Sequence, residues 1–566
     1  MRTILLGICC LLLAMNVTAV EDTIKLLAVA EGPQGITGSA AEMHLEIQPG
    51  SGRVFIASFP ATKLDTQIST RFANQIACKY IGNHCNRYDF FYTVKARSSI
   101  IGGPSAGAAT AVLTAAVLKG WPINQSMAIT GTIGSGELVG PVGYLVPKLK
   151  AAKESGVGTV LVPYEQEYIG NTNVSVNLSE YGKELGIRII EVQTLEEAII
   201  AFTNQPPQAL PKNLTIAPAY AETMHAVAAQ LCNRSIMLQE LAQQLPLPMA
   251  EQAAEEAARN STAHGLSLLA AGRSYSAASL CFGANLRYSA DLLRLGSMQW
   301  QHEMIQRDIV QLREYAEQYP IRTMTDLETF MVVMDRLVEA EDSLNVSATF
   351  AAEGNTSESA ESLAYALERV NSAYAWSQFF GKPGKRFRFS QQRLSESCIA
   401  KLSEAREHLD YLHLFLPGLL LEIEEDLGRA FADYEAGKPA LCLSRASLAK
   451  AQVNSVLSSI GIEDVQRYLD IKLGAAERLL RKNQQEGIFP LLGYSYYTYA
   501  QDLREENPTA ASLYAEYALE LANLDIYFPD MKINLGVLQW REPLLLLAGL
   551  IIGILIARTR YEPRKR

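Results

Sequence analysis

Gly103-Pro104-Ser105-Ala106-Gly107 sets a serine between glycines, and Lys148 follows it 43 residues downstream. These two residue types are enough for a hydrolase that needs no histidine. A serine hydroxyl is a weak nucleophile until a base removes its proton. A lysine amine can be that base once burial disfavours its ammonium form and brings its pKa toward neutrality. The glycines and Pro104 predict a tight turn immediately before a helix, with Ser105 at the helix start. Unpaired backbone N–H groups there can hold the oxyanion of an acyl-transfer reaction. Taken alone, the pentapeptide better suits a serine that only caps a helix.

Elements to position these residues can be read along residues 23–204. Strand-like runs fall at Ile24–Ala30, Met43–Ile47, Arg53–Phe59, Phe90–Lys95, Ser126–Thr130, Glu137–Val139, Thr159–Val162 and Ile187–Val192. Helical patterns cover Leu64–Tyr80, Ser105–Leu118, Leu145–Glu154 and Thr194–Phe202. Pro147 fits the third of these helices only in its first turn. The mixture predicts an α/β (α+β) domain over 20–204. Asn204-Gln205-Pro206-Pro207-Gln208 opens a linker running to 214, and 215–535 turns to Ala, Leu, Glu, Gln and Arg at helical spacing. Ala271–Ala278 and Ala436–Cys442 resemble each other as turns between antiparallel helices, and a third turn falls at Glu506-Asn507-Pro508. The prediction is an irregular helical-hairpin domain, with the tyrosines between Tyr494 and Tyr499 serving helix packing.

The wider pattern resembles the proteolytic domain of Lon proteases. Gly103–Gly107 resembles the nucleophile motif. Ala128-Ile129-Thr130-Gly131 resembles the family's Met-Thr-Gly stretch. Pro141-Val142-Gly143 with Lys148-Leu149-Lys150-Ala151-Ala152 resembles the segment of the catalytic lysine, and Gly156–Pro163 the turn and strand that follow, in one ungapped register from Ser105. The resemblance implies Ser105 as nucleophile, Lys148 as general base and Thr130 as the residue that positions the lysine; Lys150 falls two residues out of register. It also implies an α/β domain and ring-like homo-oligomers. Two positions depart from the pattern: Gly102 stands where the family often has Asp, and Thr132 where an acidic residue follows Thr-Gly. No Gly-x-x-x-x-Gly-Lys-[Ser/Thr] phosphate loop occurs in the chain, so the expected member is ATP-independent. It would be a serine endopeptidase for unfolded or flexible proteins, with no cofactor. The alternative is a catalytically inactive scaffold or binding module. The helical domain would collect substrate, gate access or organise assembly.

Other chemistries have little support. The seven histidines are scattered; His302-Glu303 lacks the second histidine of a zincin motif, and His408 and His413 are off one helical face. No metal is expected, and a Ser-His-Asp triad through His44 or His84 is disfavoured. A net charge of −10 argues against a nucleic-acid partner.

The chain ends predict its address. Arg2, the apolar run Ile4–Ala14 and Val17-Thr18-Ala19 read as a signal peptide, 1–19, with an uncleaved anchor as the alternative. Pro543–Ala557 is a second apolar run, about 22 Å long as a helix against a membrane core of about 30 Å. With its flanks it predicts a transmembrane helix over 540–558 and a basic cytoplasmic tail over 559–566. The expectation is a single-pass cell-membrane protein, anchored by this helix, with its body extracytoplasmic. Six cysteines remain beyond the signal, an even number that allows disulfides, Cys78 and Cys85 closing a short loop; six free buried thiols are the alternative. Beyond the signal, eight Asn-x-Ser/Thr sequons with x other than Pro, Asn177 among them, would suit an exported surface.

Overall fold

A computed structural model describes residues 20–528 apart from 33–34, 60, 83–84, 97–101, 165–167, 170–174, 246–251, 295–297, 414–415, 417–420 and 460–463, together with Gly549, Gly553 and Ile554. The first unit runs β1 (Val20–Gly32), β2 (Gly35–Pro49), β3 (Val54–Phe59), α1 (Leu64–Tyr80), β4 (Tyr88–Ala96), α2 (Gly107–Lys119), β5 (Met127–Ile129), α3 (Leu145–Glu154), β6 (Thr159–Pro163), α4 (Leu178–Leu185), β7 (Arg188–Val192) and α5 (Leu195–Thr203). A mixed seven-stranded sheet in the order β7-β6-β5-β1-β2-β4-β3 carries it. The β1–β2 and β2–β4 pairs are antiparallel, and the other four are parallel.

Alternation sets the buried face: Phe90, Tyr92 and Val94 of β4 point into the core beside Met43 and Leu45 of β2. Helix α2 is buried from Gly107 to Val117. Its alanines and threonines let α1 and the sheet approach from opposite sides, so α2 can hold its N-terminal residue in a fixed place. A short ladder of Thr132–Ile133 with Val139–Gly140 folds the segment after β5 back on itself. Helix α4 is absent from the sequence prediction. Asn177, read as a sequon, caps it by accepting the Glu180 N–H at 3.1 Å.

Beyond the linker come twelve helices among the described residues. The first six are α6 (Pro218–Ala242), α7 (Gln252–Ala270), α8 (Ser274–Leu293), α9 (Met298–Gln318), α10 (Met324–Ala352) and α11 (Thr356–Ser377). The next six are α12 (Gln391–Leu412), α13 (Leu421–Glu435), α14 (Pro439–Leu457), α15 (Val465–Gln485), α16 (Leu491–Leu503) and α17 (Pro508–Leu521). The two sets correspond. Helices α9 and α15 are both 21 residues long. Disulfide Cys232–Cys281 ties the first helix of one set to its third, and Cys398–Cys442 does the same in the other. The helical region is thus more regular than its sequence suggests. A third disulfide, Cys78–Cys85, closes the end of α1.

The helical region packs on the α/β unit through buried charge. Lys482 Nζ reaches Glu137 and the Tyr80 carbonyl, both at 2.9 Å, and Lys79 pairs with Asp525 at 2.5 Å. Lys450 lies 3.9 Å over the Phe72 ring of α1.

The expected transmembrane helix is corrected. Among the described residues no helix is long and apolar enough to cross a membrane. Of the expected span, 540–558, only Gly549, Gly553 and Ile554 are described, and the rest lies outside the described residues. The single-pass, membrane-anchored placement and the membrane as a partner fall with it. The expected signal peptide, 1–19, and basic tail, 559–566, lie outside the described residues.

Candidate active site

Ser105 is half-buried in a single 3-10 turn, Pro104–Ala106, that opens into α2. Gly103 precedes it at φ 99° and ψ 153°, a conformation that side-chain-bearing residues scarcely adopt. The first turns of α1 fasten this loop. Asp65 Oδ2 accepts the Gly103 N–H at 2.8 Å, and Ser69 Oγ donates to the Pro104 carbonyl at 3.2 Å. The N–H groups of Gly107 and Ala108 are engaged by the carbonyls of Pro104 and Gly131.

The strand leaving β5 runs beside the turn. The Gly131 N–H donates to the Ser105 carbonyl and the Gly131 carbonyl accepts from Ala108, both at 3.0 Å. A Cβ on Gly131 would collide with Val139 and meet Ala108 at 3.3 Å, so this close approach requires glycine. The residue before it, Thr130, is 1% exposed.

Lys148 enters from α3, which starts at Tyr144 in the left-handed region, φ 59°. Its side chain is buried, and its Nζ donates to Thr130 Oγ1 at 3.1 Å. Burial away from water lowers its pKa from the usual 10.5 to about 7. Lys150, two residues on, is exposed.

Ser105 and Lys148 line one cavity of about 1310 Å³. Its far wall comes from the helical region. Ile399, Leu402, Ser403, Arg406, Glu407 and Asp410 line it at the spacing of one face of α12. The Tyr411 hydroxyl, from the same helix, accepts the Gly143 N–H at 2.7 Å, just ahead of the turn into α3. Leu64 at 69% and Phe431 at 49% exposure leave apolar surface at the cavity's edge.

Ser105 and Lys148 line this cavity, and Thr130, buried behind it, joins them through its hydrogen bond to Lys148. Gly102 lies under the side chain of Lys63, whose Cδ would stand 2.7 Å from a Cβ there, so an aspartate would displace that lysine. His44 sits on β2 beside Glu21 at 3.3 Å, and His84 lies outside the described residues. The sequence reading missed Asp65, Glu407 and Tyr411. Asp65 is legible only as an acid in a helix's first turn; the other two are remote in sequence and carry no local motif.

Residues 82–200 match the model of the Lon protease (S16) C-terminal proteolytic domain. Lon protease 2 of Bacillus subtilis is 36% identical over 107 residues, 19% of this chain and 18% of its own length. Lon protease 1 of Hydrogenovibrio crunogenus is 40% identical over 105 residues, 18% of this chain and 12% of its own. An archaeal Lon protease of Methanothermobacter thermautotrophicus is 29% identical over 121 residues, 21% of this chain and 18% of its own. The chain thus spans less than a fifth of the length of these relatives. Over residues 82–200, which include Ser105, Thr130 and Lys148, it matches the Lon protease (S16) C-terminal proteolytic domain.

Proposed function

We propose that this chain is a serine endopeptidase in which Ser105 is the nucleophile and Lys148 the general base. The observation that carries this reading is the buried Lys148 amine, hydrogen-bonded to Thr130 and lining the same cavity as Ser105. At neutral pH a large fraction of that amine is unprotonated. It takes the serine proton as Oγ attacks the peptide carbonyl, and the resulting ammonium then protonates the leaving amine. Oxyanion donors come from the backbone ahead of Gly107, because the Gly107 and Ala108 amides are engaged. Thr130 keeps the amine in place throughout.

The enzyme works without ATP, since the chain carries no phosphate loop. Its substrates are then unfolded or flexible segments able to thread between the Ser105 turn and α12. A homo-oligomer is part of this reading by analogy with the family. A fluorophosphonate or boronate probe, with digestion of an unfolded protein, tests it. Labelling at Ser105 is expected, and cleavage is lost in both Ser105→Ala and Lys148→Ala. An unlabelled Ser105 favours the inactive scaffold, and cleavage retained in both variants overturns the assignment of Ser105 and Lys148.

A further inference from the structure

The wall of the cavity opposite Ser105 carries a carboxyl group whose situation the peptidase reading leaves unexplained. Glu407 is 5% exposed and lines the cavity, yet its Oε1 is buried with no hydrogen-bond partner among the described residues. A buried polar atom left unpaired is costly and calls for an occupant. Burial pushes the Glu407 carboxyl well above the usual carboxylate range. Lys450, the cation acting on it from within the fold, is already paired with Glu404 at 2.8 Å and Glu520 at 3.3 Å, so an entering cation is what would favour its ionised form.

The surroundings point to the charge of that occupant. Asp65, Asp410 and Glu424 line the same cavity. The facing cations are Lys63, Arg406 and Lys148. Arg406 is paired with Asp410 at 3.0 Å, Lys63 is exposed over Gly102, and Lys148 is held near neutrality by burial. Asp65 ties this acidic wall to the reaction centre, since it accepts the N–H of Gly103, two residues before Ser105. Leu64, Ile68 and Leu402 supply apolar lining along which the methylenes of a long basic side chain can lie.

We propose that Glu407 is a specificity-determining residue and forms the end of a cation subsite in this cavity, so that the preferred substrates carry a lysine or arginine close to the scissile bond. This rests on the peptidase reading of Ser105. An entering ammonium or guanidinium donates to the Glu407 carboxylate, with Asp65 lining the same cavity. A neutral side chain of equal length leaves that carboxyl without a partner.

The test uses the full chain with Ser105→Ala, so that binding is read without turnover. The probes are a fluorescein-labelled Ala/Ser/Gly dodecapeptide with one central lysine and its twin with norleucine. Fluorescence anisotropy is expected to show the lysine peptide binding about tenfold or more tightly, with the ratio falling to near one when Glu407→Gln is added. Absence of measurable lysine-peptide binding, or an equal affinity for the two peptides, overturns the proposal. A lysine preference unchanged by Glu407→Gln overturns the assignment to Glu407, and its recovery in Glu407→Asp supports it. If wild-type protein fails to cut the lysine peptide that Ser105→Ala binds, the peptidase reading fails while the cation subsite stands.

Discussion

Thr130 Oγ1 accepts a hydrogen bond from Lys148 Nζ at 3.1 Å, and the next residue, Gly131, donates its N–H to the Ser105 carbonyl at 3.0 Å. One short segment therefore touches both the proposed nucleophile and the proposed base. The neutral amine is the form that can accept the serine proton. Since burial places its pKa at about 7, kcat/KM for peptide cleavage rises with pH through about 7 and levels above it. A pH–rate profile checks this, and an acid limb near the usual 10.5 would show that Lys148 is not desolvated in the working enzyme.

Thr130→Val keeps the shape of the side chain and removes the acceptor. The amine then gains rotational freedom while burial is unchanged. The expected result is a fall in kcat of about 10–100-fold with little change in KM, because the contact orients the base and does not touch bound substrate. Thr130→Ser restores most of the rate. A variant that changes KM alone would place Thr130 in substrate binding.

Gly103→Ala tests the turn that presents Ser105. At φ 99° an alanine is strained by about 1–3 kcal/mol, and relaxation drags the neighbouring serine. Its Cβ meets no atom within 4 Å, so the effect is conformational and not a collision. Cleavage and probe labelling at Ser105 both fall, while thermal unfolding shifts by only a few degrees. Full labelling in the variant would show that the turn tolerates another conformation.

Much of this arrangement is local, and for that reason it was legible in the sequence. The glycines around Ser105, the Thr130-Gly131 step and Lys148 lie within one stretch of the chain. Helices α1 and α3 begin and end where their apolar spacing and turns predict, at Leu64–Tyr80 and Leu145–Glu154. Helix α4 escaped because eight residues give too little periodicity, although Asn177 and Glu180 spell out its cap. The far wall of the cavity was not legible at all. Tyr411 reaches Gly143 across 268 residues, and no local pattern encodes such a contact.

Tyr411→Phe removes the acceptor for the Gly143 N–H and leaves the ring in place. The half-buried amide then lacks its partner, at about 1–3 kcal/mol for a fully buried donor and less here. The segment leading into α3 loosens, so kcat falls several-fold although Tyr411 belongs to a different part of the chain. An unchanged kcat would mean that the α12 wall bounds the cavity without supporting Lys148.

The two long-range disulfides should matter more than the short one. Cys232–Cys281 and Cys398–Cys442 close loops with sequence separations of 49 and 44, against 7 for Cys78–Cys85. Loop-closure entropy gives about 4 kcal/mol for each long loop and about 2.5 kcal/mol for the short one. Because α12 forms the cavity wall, opening Cys398–Cys442 loosens the helix that carries Glu407 and Tyr411. Cys398→Ser/Cys442→Ser therefore lowers both the unfolding midpoint and kcat/KM. Cys232→Ser/Cys281→Ser, in the set of helices that does not line the cavity, lowers the midpoint by a similar amount and leaves kcat/KM within about twofold, since distant perturbations are close to additive. Differential scanning calorimetry with steady-state cleavage separates the two, and equal losses of activity would show that the sets of helices are mechanically coupled.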